Sequence, residues 1–151
     1  MSEGKLPPAI AADHLYRLRV FYEDTDAGGV VYYANYLKFA ERARSELLRA
    51  FGVSQKALAE AGGPIFTVRR VEADFLRPAY LDDELEVRTT VLERGGARVA
   101  MAQVIGRDQE DLVRMRVEIA CVNAKGRATR IPEPVAGLFA DAVARDHPAA
   151  R

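Results

Sequence analysis

The sequence predicts an α+β fold in which one long helix packs on a five-stranded antiparallel sheet. Three observations lead to this prediction: an amphipathic stretch of about five turns, five stretches of alternating apolar and polar residues, and short turns between most of these strands. One helix cannot cover such a sheet completely. We therefore expect the uncovered face or an open edge to meet another subunit.

The first predicted strand spans residues 15–22, where Leu18, Val20 and Tyr22 share one face. The long helix is predicted over residues 33–51, because apolar residues recur there at spacings of three and four, and Gly52 is a typical C-terminal stop. Ser54 is a suitable cap for a second, short helix that continues to Ala61.

Four more strands and a last helix complete the predicted fold. The third of these strands is apolar on both faces, so we place it centrally in the sheet, and Gly95-Gly96 indicates a tight hairpin before it. The predicted strands are residues 66–76, 84–92, 98–106 and 112–122, and a weakly specified helix follows Pro132 and Pro134 to Ala144.

The length of 151 residues suggests one domain. We assign it to residues 15–144, with a flexible arm over residues 1–14 and a flexible tail over residues 145–151. Lys plus Arg equals Asp plus Glu at 22 each, which gives no general support for nucleic-acid binding. The single Cys121 excludes an intrachain disulfide, and no stretch approaches the ~20 apolar residues of a membrane span. We expect a cytoplasmic protein.

Residues 23–36, EDTDAGGVVYYANY, form the stretch with the clearest chemical content. Gly28 and Gly29 permit a sharp turn and a close approach to a substrate. The helix that follows offers unpaired N–H groups and a partial positive charge, which suit a developing oxyanion. Asp26 would then be a nucleophile or a base, although an Asp in such a turn commonly only shapes it. The spacing of the acidic residues does not match a calcium loop, so we expect no metal.

Two segments carry a resemblance to a known family: RVFYEDTDAGGVVYYANYLKFAERARSELLR, residues 19–49, and FLRPAYLDDELEV, residues 75–87. The chain resembles the hotdog-fold acyl-CoA thioesterases of the 4-hydroxybenzoyl-CoA thioesterase type, and most closely the Tol-Pal-associated branch, over roughly residues 15–125. The resemblance implies a sheet wrapped around a central helix. It also implies dimers or tetramers with active sites between subunits, and coenzyme A as part of the substrate, with no other cofactor.

In that family the second Asp of the Asp-x-Asp pair is the catalytic carboxylate, which corresponds to Asp26. The backbone N–H at the helix start polarises the thioester carbonyl, which by position is that of Tyr33. The chain departs from the pattern in two places. Many relatives in the Tol-Pal branch have His where this chain has Tyr33, and the basic phosphate-binding hairpin is reduced here to Arg94 and Arg98.

Other residues near the motif are weaker candidates. We expect the substrate to contact a set of neighbouring residues: Gly28, Gly29, Val30, Tyr32 and Asn35, with Arg94 and Arg98 near the phosphates. Tyr36 could line an acyl pocket or pack in the core, and the sequence favours neither role. Glu41 and Glu46 lie on the long helix, where a base is conceivable in this fold but a solvated or ion-paired face is the simpler interpretation. Glu23 and Asp24 are interpreted as structural.

The sequence therefore predicts an acyl-CoA thioesterase that releases a free acid and CoA. Two alternatives stay open. A hotdog dehydratase or hydratase would need a His or Glu acting on the acyl chain, and neither His14 nor His147 is near the motif. A non-catalytic protein that binds acyl groups or acyl carrier protein would fold in the same way but show no turnover.

Overall fold

The computed structural model describes residues 13–133 and 135–144. Along the chain the elements are β1 (His14–Arg19), a 3-10 turn (Tyr22–Asp24), α1 (Asn35–Ala50), α2 (Gln55–Glu60), β2 (Ile65–Phe75), β3 (Glu84–Arg94), β4 (Arg98–Arg107), β5 (Glu110–Val122) and α3 (Val135–Ala144). The described strands form one antiparallel sheet in the order β1-β3-β4-β5-β2. The predicted α+β class is confirmed, and β4 has the central position that its two apolar faces predicted.

The predicted first strand was too long at its C-terminal end. β1 stops at Arg19, and Tyr22 lies in the 3-10 turn with 82% of its surface exposed. The Asp24 carboxylate accepts a hydrogen bond from the Phe21 N–H at 2.8 Å, and this local bond turns the chain away from the sheet. The strand also begins one residue early, because His14 pairs with Thr89. Residue 14 therefore does not belong to an arm; residues 1–12 and 145–151 lie outside the described residues.

Helix α1 forms because its apolar residues share one face, and that face is buried against the sheet. The predicted long helix is confirmed, although it starts at Asn35 and ends at Ala50. The predicted second helix is also confirmed, since the Ser54 hydroxyl caps α2 by accepting from the Ala57 N–H at 3.1 Å. The buried residues of α1 are Tyr36, Phe39, Ala40, Ala43, Leu47 and Leu48.

The opposite face of the sheet is charged. Arg88 and Arg114 both contact Asp111, at 2.6 and 2.9 Å, and Arg116 pairs with Glu93 at 3.0 Å. Within the part of the chain that the structure describes, no helix is long and apolar enough to cross a membrane.

An apolar stripe on β2 faces the same side as α1 and is not covered by it. Phe75, Val71 and Val68 are paired across from Val113, Val117 and Ile119 on β5, which are all buried. The three β2 side chains nevertheless remain 49%, 38% and 45% exposed. We call the space between this stripe and the residues Leu37, Glu41 and Ser45 of α1 the α1–β2 groove.

Candidate active site

Asp26 lies in a tight turn that fixes both its backbone and its carboxylate. Its N–H donates to the Val30 carbonyl at 2.9 Å, and its carbonyl accepts from the Gly29 N–H at 3.0 Å. Its Oδ1 accepts from the Gly28 N–H at 2.8 Å. Gly29 has a φ of +81°, a conformation in which a side chain would be strained. The exposed Asp26 carboxylate therefore has one oxygen anchored, and within the described residues its Oδ2 has no hydrogen-bond partner.

The start of α1 offers free backbone donors. The Asn35 N–H donates to the Tyr32 carbonyl at 2.8 Å, and the Tyr36 N–H donates to the Tyr33 carbonyl at 3.3 Å. By contrast, the N–H groups of Tyr33 and Ala34 have no acceptor among residues 13–133 and 135–144. Free N–H groups at the positive end of a helix are suited to hold an oxyanion.

The carbonyl of Asp24 connects the acidic turn to the start of α1. It accepts from the Asn35 Nδ2 at 2.9 Å and from the Tyr32 N–H at 3.0 Å. The side-chain amide of Asn35, expected to contact substrate, thus has a partner within the fold. The structural role predicted for Asp24 is confirmed by these bonds and by its cap on Phe21.

The loop that precedes β3 contacts the turn that carries Asp26. The Val31 N–H donates to the Ala79 carbonyl at 2.9 Å, and Val30 forms a β-bridge with Tyr80. This loop is fixed in turn by Asp83, whose Oδ2 accepts from the Tyr80 N–H at 2.8 Å and contacts the Arg107 guanidinium at 2.6 Å. The bond to Asp83 raises the pKa of Arg107 above its ordinary value.

Aromatic side chains pack against one another just before the start of α1. The Tyr33 ring packs 5.1 Å from the Tyr32 ring and 5.9 Å from the Phe75 ring. Tyr36 is instead part of the core: it is buried, and its hydroxyl accepts from the Ala79 N–H at 3.0 Å. The sequence could not place Phe75 at this site, because the residue comes from a distant strand.

The remaining candidates are not brought to Asp26 within one chain. Arg94 and Arg98 lie at the β3–β4 hairpin, at the end of β3. The loop that contacts the Asp26 turn precedes the start of β3, and the two ends of a strand of this length are roughly 30 Å apart. Glu46 pairs with Arg49, as expected for an ion-paired helix face. Glu41 is exposed along the α1–β2 groove.

A five-stranded antiparallel sheet that packs around one long helix is the hotdog fold that the sequence predicted. Residues 20–139 match the model of the Thioesterase-like superfamily. The chain therefore belongs to this superfamily, as the resemblance in the sequence implied.

The comparisons with individual proteins agree with this assignment. The chain is 42% identical over 125 residues to the acyl-CoA thioesterase YbgC of Haemophilus influenzae. The aligned residues cover 82% of this chain and 92% of that protein. A crystal structure of a probable thioesterase from Bartonella henselae is 43% identical, with a TM-score of 0.76 over 79% of this chain and 98% of that one. A 1,4-dihydroxy-2-naphthoyl-CoA thioesterase from Synechocystis has the same fold at 23% identity, with a TM-score of 0.79 over 84% of this chain and 95% of that one.

Proposed function

We propose that this chain hydrolyses acyl-CoA thioesters to a free acid and CoA, and that it needs no metal or redox cofactor. The observation that carries the proposal is the position of the anchored Asp26 carboxylate in the turn that precedes the free N–H groups of Tyr33 and Ala34. The similarity to an acyl-CoA thioesterase over most of the chain supports the same substrate class.

In the proposed reaction the substrate carbonyl oxygen accepts a hydrogen bond from the Tyr33 N–H. This bond strengthens as the carbonyl becomes an oxyanion, and loss of one such donor typically raises a barrier by ~2.7–4 kcal/mol. Asp26 then either attacks the carbonyl carbon, which expels CoA thiolate and leaves a mixed anhydride for water to hydrolyse, or removes a proton from an attacking water. Both routes consume one water and release one acid and one thiol.

Thiol release followed with a thiol-reactive dye tests the proposal over acyl-CoAs of short, medium, long and aromatic acyl groups. Asp26→Asn should lower kcat by at least about a hundredfold on the best substrate. Asp141→Asn is the matched control, since Asp141 is an exposed acid on α3 and far along the chain from the turn. Full activity in Asp26→Asn would move the catalytic role to Glu41 or Glu46. No thiol release from any acyl-CoA by the folded wild type would refute the proposal.

A single turnover in ¹⁸O-labelled water tests for the nucleophilic route. If Asp26 is the nucleophile and water attacks its carboxyl carbon, the label enters the peptide that contains Asp26, which mass spectrometry detects. If the label appears only in the released acid, either Asp26 is a base or water attacks the acyl carbon of the anhydride, and trapping of the anhydride with hydroxylamine separates these two cases.

The proposal includes a second copy of the chain. The exposed β2 stripe of Val68, Val71 and Phe75 borders the candidate site, and a second subunit would cover it and close the α1–β2 groove. Arg94 and Arg98 would bind the nucleotide phosphates only from such a neighbouring subunit. An acyl carrier protein as donor, and a cytoplasmic location in keeping with the free thiol of Cys121, belong to the same proposal.

A further inference from the structure

A cavity lies at the far end of the α1–β2 groove, between the second half of α1 and the start of β2. It measures about 170 Å³. Its lining is mainly apolar and includes Leu48, Phe66, Val68, Met101 and Phe139. A cavity of about 150 Å³ is known to hold benzene, so this one has room for the end of an acyl group. We call it the distal pocket.

Arg44 places a cation in the wall of the distal pocket. Burial lowers the pKa of Arg44, and the charge of Glu41 opposes that shift by a smaller amount. Within the described part of the chain, no carboxylate oxygen lies within 4.0 Å of the Arg44 guanidinium. Charged side chains that leave water are normally paired. Glu41, which is three residues away on α1 and lines the same pocket, acts on Arg44 through its charge but does not form an ion pair with it.

Gln103 holds Arg44 in this position. Gln103 is fully buried, and its Nε2 donates to the Ala40 carbonyl at 3.0 Å and to the Thr89 hydroxyl at 3.1 Å. Its Oε1 is thereby directed at Arg44, which donates to it from NH1 at 2.9 Å. A guanidinium has five N–H donors, so most of those of Arg44 remain for a ligand. The buried amide thus fixes the orientation of a partly buried cation.

We propose that the distal pocket binds a carboxylate at the far end of the acyl group, so that the protein prefers ω-carboxyacyl thioesters. This inference rests on the proposed function. From Tyr33 to Arg44 the helix rises roughly 16 Å, which an acyl chain of on the order of ten to fourteen carbons would span. Along the α1–β2 groove, the exposed apolar side chains of Phe75, Val71 and Val68 would line the β2 side of this path. Glu41 is exposed at its edge, where water screens its repulsion of the ligand.

The experiment compares kcat/KM for matched pairs of thioesters: decanoyl-, dodecanoyl- and tetradecanoyl-CoA against the ω-carboxyacyl-CoAs of the same length. The wild type should favour the ω-carboxy member by about tenfold or more at the best length, as expected for a charge-assisted hydrogen bond. Arg44→Met should abolish this preference, so that kcat/KM becomes equal for the two members of each pair. Arg44→Lys retains the cation and should keep part of the preference.

Arg42→Met is the matched control, because Arg42 is an exposed arginine of α1 that does not line the pocket. It should leave the preference unchanged. Equal or poorer turnover of the ω-carboxy substrates by the wild type, with normal turnover of their partners, would overturn the inference and leave the proposed function intact.

Binding gives a readout that does not depend on catalysis. Calorimetry of two thioethers that cannot be hydrolysed, S-dodecyl-CoA and S-(11-carboxyundecyl)-CoA, with the wild type should show tighter binding of the carboxy compound. Equal binding would overturn the inference even if no thioester were hydrolysed. This measurement also replaces the kinetic one if the Arg44 variants fail to fold, which near-UV circular dichroism reports.

Discussion

The side-chain amide of Asn35 donates to the carbonyl of Asp24 at 2.9 Å, across the eleven positions that separate them. This bond ties the first residue of α1 to the turn that carries Asp26. Together with the bond from the Tyr32 N–H to the same carbonyl, it sets the relative position of the carboxylate and the free helix N–H groups, and it is the only one of the two made by a described side chain.

Asn35→Ala should therefore lower kcat more than it lowers stability. Loss of one such hydrogen bond costs ~1 kcal/mol of unfolding free energy, whereas a displaced carboxylate should reduce kcat by about tenfold or more. Urea unfolding and thiol release measure the two effects. Lys38→Ala, an exposed change one turn along the same helix, is the control. An unchanged kcat would show that the turn is positioned without this bond.

Gly28 is the second point at which the turn depends on one residue. A Cβ added there would lie 3.1 Å from the Asp26 Oδ1, so the carboxylate would have to move by a few tenths of an ångström. We expect Gly28→Ala to reduce kcat several-fold with the fold intact. Gly96→Ala in the β3–β4 turn has open space around its Cβ and should leave kcat unchanged. Equal kcat in the two variants would contradict this prediction.

The sequence predicted those parts of the molecule that depend on local pattern. The 3.6-residue period gave α1, and the two apolar faces of one stretch placed β4 at the centre of the sheet. The Gly-containing turn around Asp26 was recognisable because glycine conformation is a local property. The end of β1 was missed, since alternation continued to Tyr22 while the Asp24 carboxylate turned the chain.

Features made by contacts between distant residues could not be predicted. Phe75 packs on Tyr33 from another strand, and Arg44 meets Gln103 across 59 positions. Neither residue pair leaves a pattern in the sequence, because the partners are brought together by the pairing order of the sheet. The sequence predicted that a face or an edge of the sheet would be uncovered, but it did not indicate that the exposed apolar residues would lie on β2.

A substitution in the β2 stripe tests whether a second copy of the chain binds to this surface. A Lys in place of Val71 would put a charge into a surface that an apolar partner is expected to cover, so Val71→Lys should shift the protein towards a monomer. Light scattering coupled to size-exclusion chromatography measures the mass. Leu15→Lys is the control, because Leu15 is 50% exposed on β1, an edge strand on which Arg17 and Arg19 already pair with Glu86 and Glu84. A dimer that survives in Val71→Lys would place the interface elsewhere.

Tyr36 should make the stability of the protein fall at alkaline pH. Burial raises its pKa above the ordinary value of 10.0, and the hydrogen bond from Ala79 opposes this by a smaller amount. The native state thus holds the phenolic proton more tightly than the unfolded chain does. The resulting stability is fully present below pH 10 and is lost as the pH rises through the folded pKa.

Tyr36→Phe should flatten the decline in unfolding free energy above about pH 10, measured by urea titration at a series of pH values. It should also cost ~1–3 kcal/mol near neutral pH, because the Ala79 N–H loses its buried acceptor. Tyr22→Phe is the matched control, since that side chain is 82% exposed. If both variants declined as steeply as the wild type, the alkaline loss of stability would have to come from other groups, and the buried hydroxyl of Tyr36 would not be its source.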